Sequence, residues 1–365
     1  MRPFVLLTAA AALCSSSALA QSTYVSGLTN YLNSLNLTSF TAVIDKVNGT
    51  AAGQNVFTRL ASGKPYTLLA PFNPAWSGVN PFFGDDITWL GQTLAYHVIP
   101  GTLDIPAIRT SPNHTVAYTL LTDPSLVHLL AGQSQYIQFT KIGGATHISN
   151  QNYPSVIIST STYQNLQVVI ISTVVDLPPA TSDLLTLASY PQSQELTTLV
   201  SLLPPSFLST LSESPSITFF APINQAFIDA RAAGRIDPST SPSTYLSLFE
   251  NHIINGTLVY SGSPQKNYTS AGGQEVTVGT GGGKDGGGSV VYYRGEQVAN
   301  IVYGDITTQN GVVHLIDVVL PNPASNPAAA ASAYSVAVAT TTPSPLRRRT
   351  PSRLFKPPPV KAPPS

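Results

Sequence analysis

The chain has 365 residues, with 17 Lys plus Arg against 17 Asp plus Glu, and a single cysteine. Between Gln21 and Ser325 there are 10 basic and 17 acidic residues, and the six cations from Arg347 to Lys361 restore most of the balance. An acidic main part excludes the basic patch that nucleic-acid binding needs, and a lone Cys14 excludes a disulfide framework.

Arg2, an apolar run from Phe4 to Leu13 and the small residues ending Ala18-Leu19-Ala20 read as a signal peptide over 1–20. The mature chain is then expected to start at Gln21 and to be secreted. No later run reaches the ~18 consecutive apolar residues of a membrane span. Five N-x-S/T sequons, at Asn36, Asn48, Asn113, Asn255 and Asn267, are candidate glycosylation sites on that route.

Leu28-x-x-Tyr31-Leu32-x-x-Leu35 and Phe40-x-x-Val43-Ile44-x-x-Val47 have helical spacing, and Gly49 ends the second helix. Tyr66 to Trp76 (YTLLAPFNPAW) reads as a short strand that stops at Ala70-Pro71 and leads through Asn73 into a helix. Asp85-Asp86 begin a further helix whose apolar face is Ile87, Leu90, Leu94 and His97 and which stops at Pro100-Gly101. From Thr115 to Val175 short β-type runs follow (VAYTLL, YIQFT, SVIIS, LQVVIISTVV), separated by turn residues such as Gly143-Gly144.

After Leu177-Pro178-Pro179 the order restarts. Asp183–Tyr190 and Glu195–Leu203 read as helices, and Ile217 to Phe227 (ITFFAPINQAF) repeats the strand, Ala-Pro and helix, with Asn224 as the expected cap. A helix near Tyr245–Ile254 and strands at Thr257–Tyr260, Glu275–Val278, Val290–Arg294, Val298–Val302 and Val312–Leu320 complete it. Ala70-Pro71 precedes Ala221-Pro222 by 151 positions, so the chain is a tandem repeat of two α+β domains, 21–180 and 181–323. Residues 324–365, Ala/Ser/Thr-rich and then Pro/Arg-rich, are expected to be disordered. They resemble the stalk before a lipid anchor but lack its terminal hydrophobic tail.

Three landmarks recur in both units: the strand–Ala-Pro–helix motif, a helix ending in histidine (LAYHVIPGTL with Tyr96-His97, FENHIINGTL with Asn251-His252), and a final strand (Asn310 to Pro321, answered from Asn165 to Pro178). This set resembles the fasciclin domain family. The resemblance implies two wedge-shaped β-sandwiches, each with a helical layer, in an extracellular matrix, cell-wall or cell-surface protein whose usual role is adhesion. It also implies that Tyr96 and His97 contact a partner, with His252 their counterpart. Repeat one departs from the pattern with Val169 and Ser172 where repeat two has His314 and Asp317.

Buried histidines hydrogen-bonded to backbone are the alternative reading for His97, His252 and His314, since unpaired buried polar groups are costly. The other histidines, 114, 128 and 147, form no closely spaced ligand pair with them, so no metal site or cofactor is expected. No G-x-S-x-G elbow marks a serine hydrolase. The glycine tract Gly279–Gly288 leads from strand to strand and reads as a hairpin loop rather than a phosphate cradle. The leading expectation is a non-enzymatic, secreted, glycosylated binding protein for cell-surface or matrix proteins or wall polysaccharides, with weak self-association. A carbohydrate-binding wall module is the alternative, with Trp76, Trp89 or Tyr292-Tyr293 stacking on sugars. A secreted hydrolase ranks third and needs a cleft with a perturbed carboxylate or histidine.

Overall fold

A computed structural model describes residues 6–79, 84–111, 113–149, 154–187, 191–236, 242–280, 289–293, 296–320 and 323–341. Repeat one opens with α1 (Leu6–Ser34), α2 (Thr38–Val47) and α3 (Ala51–Leu60). Helix α1 runs through the expected cleavage point, but Leu19 is exposed and burial begins at Tyr24. The third helix has no clean apolar spacing. It forms because Thr50 Oγ1 accepts from Gly53 N at 3.0 Å and Val56, Phe57 and Leu60 bury one face. Gly53 is required by close approach, since a Cβ there would lie 2.1 Å from the Val47 carbonyl oxygen.

Strand β1 (Tyr66–Pro71) leads into a 3-10 turn (Asn73–Gly78) and then α4 (Ile87–Tyr96), which Asp86 caps through Thr88 N and Trp89 N. Ile87, expected on the apolar face, stands exposed in the first turn, while Leu90 and Leu94 are buried. The strands are β2 (Val98–Pro100), β3 (Thr115–Tyr118), β4 (Tyr136–Ile142), β5 (Ala145–Ile148), β6 (Ser155–Tyr163) and β7 (Leu166–Ile171). They form a seven-stranded sheet in the order β2-β1-β7-β6-β5-β4-β3, with β1 and β7 parallel and the other pairs antiparallel. Two residue pairs alone join β5 to β6, and β6 bulges between Ile157 and Ser159, so the sheet bends there. Helices and both halves of the bent sheet share one apolar cluster.

Repeat two has α5 (Thr181–Thr186), α6 (Pro191–Gln194), α7 (Thr197–Leu202), α8 (Pro205–Glu213), β8 (Ile217–Pro222), α9 (Asn224–Ala232) and α10 (Pro242–Glu250). Strands β9 (Ile253–Ile254), β10 (Lys266–Thr269), β11 (Glu275–Thr280), β12 (Ser289–Tyr293), β13 (Glu296–Thr308) and β14 (Gly311–Ile316) follow. Their order, β10-β11-β12-β13-β14-β8-β9, mirrors repeat one, and β8 and β14 are the parallel pair. Along β8, Ile217, Phe219 and Ala221 face the helices while Phe220 faces the sandwich. A strand buried on both faces reads as an unbroken apolar run, which is why ITFF stood out in the sequence.

Several expectations are corrected. Thr257–Tyr260 is not a strand: Thr218 Oγ1 holds it instead, donating to Thr257 O at 2.7 Å and accepting from Val259 N at 2.9 Å. Thr67 does the same for Gly101 and Leu103 in repeat one. The Gly-rich loop lies largely outside the described residues, although Thr280 pairs with Ser289 across its base. The expected disorder after Ala324 does not extend over Pro327–Thr340, which forms helix α11, capped by Asn326 and rich in Ala. It rests on repeat two at Gly256, where a Cβ would meet Ala337 Cβ at 2.9 Å. The Arg/Pro-rich segment lies outside the described residues.

Candidate functional site

The two helix ends that carry the shared histidines have the same geometry. His97 Nδ1–H donates to Thr93 O at 2.7 Å, and its Nε2 accepts from Val175 N at 3.0 Å. His252 donates to Leu248 O at 2.9 Å and accepts from Leu320 N at 2.9 Å. Each ring therefore staples the end of a helix to the segment that leaves the last strand. Both are fully buried and neutral: burial pushes each pKa down to about 4, against a smaller opposing effect of the backbone hydrogen bond. Tyr96 is buried as well and donates to Tyr136 O at 3.0 Å. The partner contact expected at Tyr96, His97 and His252 is thus corrected: inward-facing rings with their polar atoms satisfied offer no surface to a docking protein.

Repeat two replaces Tyr96 by Asn251, and the structure gives the substitution a role. Asn251 Nδ2 donates to Ala324 O at 2.8 Å, which ties the approach to α11 down onto the repeat. Of the other departures, Ser172 and Asp317 are structurally equivalent. Ser172 Oγ accepts from Val156 N at 2.8 Å, and Asp317 Oδ1 accepts from Asn300 N at 2.7 Å, 144 positions on.

Two further pairs carry the fold and were not singled out for these roles by the sequence. Asn73 and Asn224 do not cap their own helices. Asn73 Oδ1 accepts from Ser39 N at 3.0 Å, at the start of α2, and Asn224 Oδ1 accepts from Thr198 N at 2.9 Å, at the start of α7. Each caps a helix from across the domain. Asn165 and Asn310, 145 positions apart, close the other end of the helical layer. Asn310 Nδ2 donates to Leu211 O and Ser214 O, both at 2.7 Å, and Asn165 Nδ2 donates to Leu60 O at 3.0 Å and to Lys64 O. The available signal was recurrence of asparagine at matched positions of the two repeats.

The strongest cluster of titratable groups lies where the repeats meet. Asp305, buried in β13 with a φ of +63°, accepts from Ser261 N at 2.7 Å and from the Ser261 hydroxyl. It also accepts from His114 Nδ1 at 2.7 Å, a histidine of repeat one. His314 Nδ1 accepts from Asp305 N at 3.1 Å, its Nε2–H donates to Val259 O at 2.8 Å, and its ring stacks on Phe220 at 5.4 Å. Burial alone would raise the Asp305 carboxyl; the His114 hydrogen bond, His314 and Ser261 outweigh it and hold the group below its usual value. Serine, histidine and aspartate meet here without the geometry of a nucleophile. The Ser261 hydroxyl donates to the carboxylate, and the same His114 nitrogen serves both residues, so no imidazole nitrogen is placed to take the serine proton.

The aromatic candidates form no platform among the described side chains. Trp76 and Trp89 are partly buried against the core, Trp76 stacking on Phe40 at 6.1 Å, and the Tyr292 and Tyr293 side chains lie outside the described residues. Asn36, Asn48 and Asn267 are exposed, whereas Asn113 and Asn255 are partly buried. The Asn113 carboxamide packs on Gly262 of repeat two, its Oδ1 2.7 Å from where a Cβ would stand.

A family model described as the fasciclin domain matches the chain twice, at residues 36–178 and 194–323. The chain belongs to the fasciclin domain family. Among solved structures, it is similar to a FAS1 domain pair from the insect cell adhesion molecule Fasciclin I. That match has 17% identity and a TM-score of 0.36, and covers 79% of this chain and 97% of that one. No curated protein matches. Both fasciclin repeats thus turn their landmark side chains inward, and no helix among the described residues is long and apolar enough to cross a membrane.

Proposed function

We propose that this fasciclin-domain chain is a secreted adhesion or matrix protein that acts by binding rather than catalysis. One observation supports a surface for it. The bulge in β6 turns Ile158 outward, and the matching bulge in β13 does the same with Val302 and Tyr303, all about half exposed. The same exposed apolar feature at the same place in two repeats is what a protein partner would bury. Cell-surface or matrix proteins fit this surface better than wall polysaccharides, because it offers Ile158 and Val302 with the single ring of Tyr303 rather than an aromatic platform.

An attachment assay tests the reading. Cells of the source organism are counted on surfaces coated with the secreted protein or with Ile158→Asp/Val302→Asp, after circular dichroism confirms folding. Attachment is expected to fall at least about fivefold, since losing two central apolar contacts costs about 1 kcal/mol or more. Equal attachment of both proteins would place the contact elsewhere, and no attachment by either would remove adhesion.

Glycans are proposed on the exposed Asn36, Asn48 and Asn267, with Asn113 left bare because its side chain packs between the repeats. Peptide mapping of protein secreted from a eukaryotic host checks this, and a fully occupied Asn113 would contradict the docked arrangement of the repeats.

A further inference from the structure

Specific polar contacts join the repeats, several of them buried, beside the apolar packing of Leu258 and Tyr260 on the core of repeat one. Arg109 Nη1 donates to Gly262 O at 3.1 Å, Gln135 Nε2 to Thr308 O at 3.0 Å, and the Tyr136 hydroxyl to Gly311 O at 2.8 Å. The backbone joins in, with His128 N donating to Gln309 O at 2.8 Å and Leu130 N to Ser216 Oγ at 2.8 Å. Tyr136 meets Tyr260 edge to face at 5.1 Å. In repeat one these groups are Tyr136 of β4 and residues of the segments that flank β3 and β4; repeat two supplies Ser216, ahead of β8, and the Tyr260–Gly262 and Thr308–Gly311 segments.

Within this interface Asp305 stands apart. It is a fully buried carboxylate whose partners in its own repeat are Ser261 and, 3.9 Å away, the neutral His314. The imidazole that completes its coordination belongs to repeat one, and the His114 side chain keeps a narrow exposure to solvent. Separating the repeats would give up a hydrogen bond to a carboxylate, which is stronger than the neutral contacts beside it.

We propose that the His114–Asp305 pair is a latch that holds the two fasciclin repeats in one orientation, so that Ile158 and Val302 are presented at a fixed separation. The pair links residues 191 positions apart, on either side of the short connection from Val175 to Thr181. Asp305 is prearranged for the role: the left-handed backbone and the Ser261 bonds aim its Oδ2 at the neighbouring repeat.

Amide hydrogen exchange on the full secreted chain, read residue by residue, tests the latch. The His128 and Leu130 amides bond across the interface and report its opening. The Leu69 and Phe220 amides bond to His97 O and His252 O and report the fold of each repeat separately. His114→Ala removes the cross-repeat bond and leaves the Ser261–Asp305 bonds intact. It is expected to raise exchange at His128 and Leu130 about tenfold or more, with Leu69 and Phe220 unchanged. His114→Asn, whose amide nitrogen stands close to the Nδ1 position, is expected to restore protection. Unchanged protection at His128 and Leu130 in His114→Ala would overturn the latch. So would an equal rise at Phe220, which would make the pair a support of repeat two alone.

Discussion

The stability contributed by His97 and His252 is expected to be flat above pH 7 and to fall steeply between pH 6.5 and 4, because both must remain neutral to hold the helix ends. Each Nε2 accepts a backbone N–H, so protonation turns an acceptor into a donor facing a donor. The folded pKa of each is lowered to about 4, against about 6.5 in the unfolded chain. As pH falls below 6.5 the unfolded state takes up protons that the folded state refuses, so stability is lost with falling pH and is fully present above it. At pH 5 this amounts to about 2 kcal/mol per histidine. His314 acts in the same direction, lowered chiefly by burial, with Asp305 partly offsetting it. Urea unfolding midpoints at pH 7.5 and pH 5 check the expectation. His97→Gln/His252→Gln should be less stable at pH 7.5 yet lose much less on acidification. A wild-type midpoint that does not move between the two pH values would contradict the buried, neutral assignment.

Asn310→Ala should be the most damaging single polar truncation, at about 3–5 kcal/mol, because it strands buried partners on three sides. The Leu211 and Ser214 carbonyls lose their donor, and the Thr181 hydroxyl, 2.5 Å from Asn310 Oδ1, is left with Thr308 Oγ1 alone as acceptor. Asn310 itself is fully buried, so the groups it leaves behind have little access to solvent. Asn165→Ala makes the internal control. Its residue performs the same task in repeat one but is only partly buried, so water can replace it and the loss should be about 1–2 kcal/mol. Thermal denaturation of the two variants side by side decides the matter. An Asn310 variant no less stable than the Asn165 variant would show that burial does not set the difference.

The arrangement of elements was legible in the chain because the repeat states it twice. YTLLAP and ITFFAP stand out as strands buried on both faces, and helices before strands in each unit mark an α+β domain. The histidines at the ends of α4 and α10 were legible as positions but not as contacts. A tyrosine-histidine pair at a helix end is compatible with a docking surface or with a core. What selects the core is the segment after the last strand, whose Val175 and Leu320 amides arrive 78 and 68 residues later to bond the rings. Helix α3 was hidden because its face is completed by a cap and a glycine contact rather than by apolar period. Helix α11 was hidden because low hydrophobic contrast hid a docking face that Gly256 and Asn251 supply from elsewhere.

Composition and local pattern were enough for the family and the two-repeat plan, since these rest on residue type and near-neighbour spacing. Which polar side chains face inward, and which histidine meets Asp305 across 191 positions, was decided by tertiary structure alone. A hydrogen bond depends on where two distant segments arrive, and no local period records that meeting.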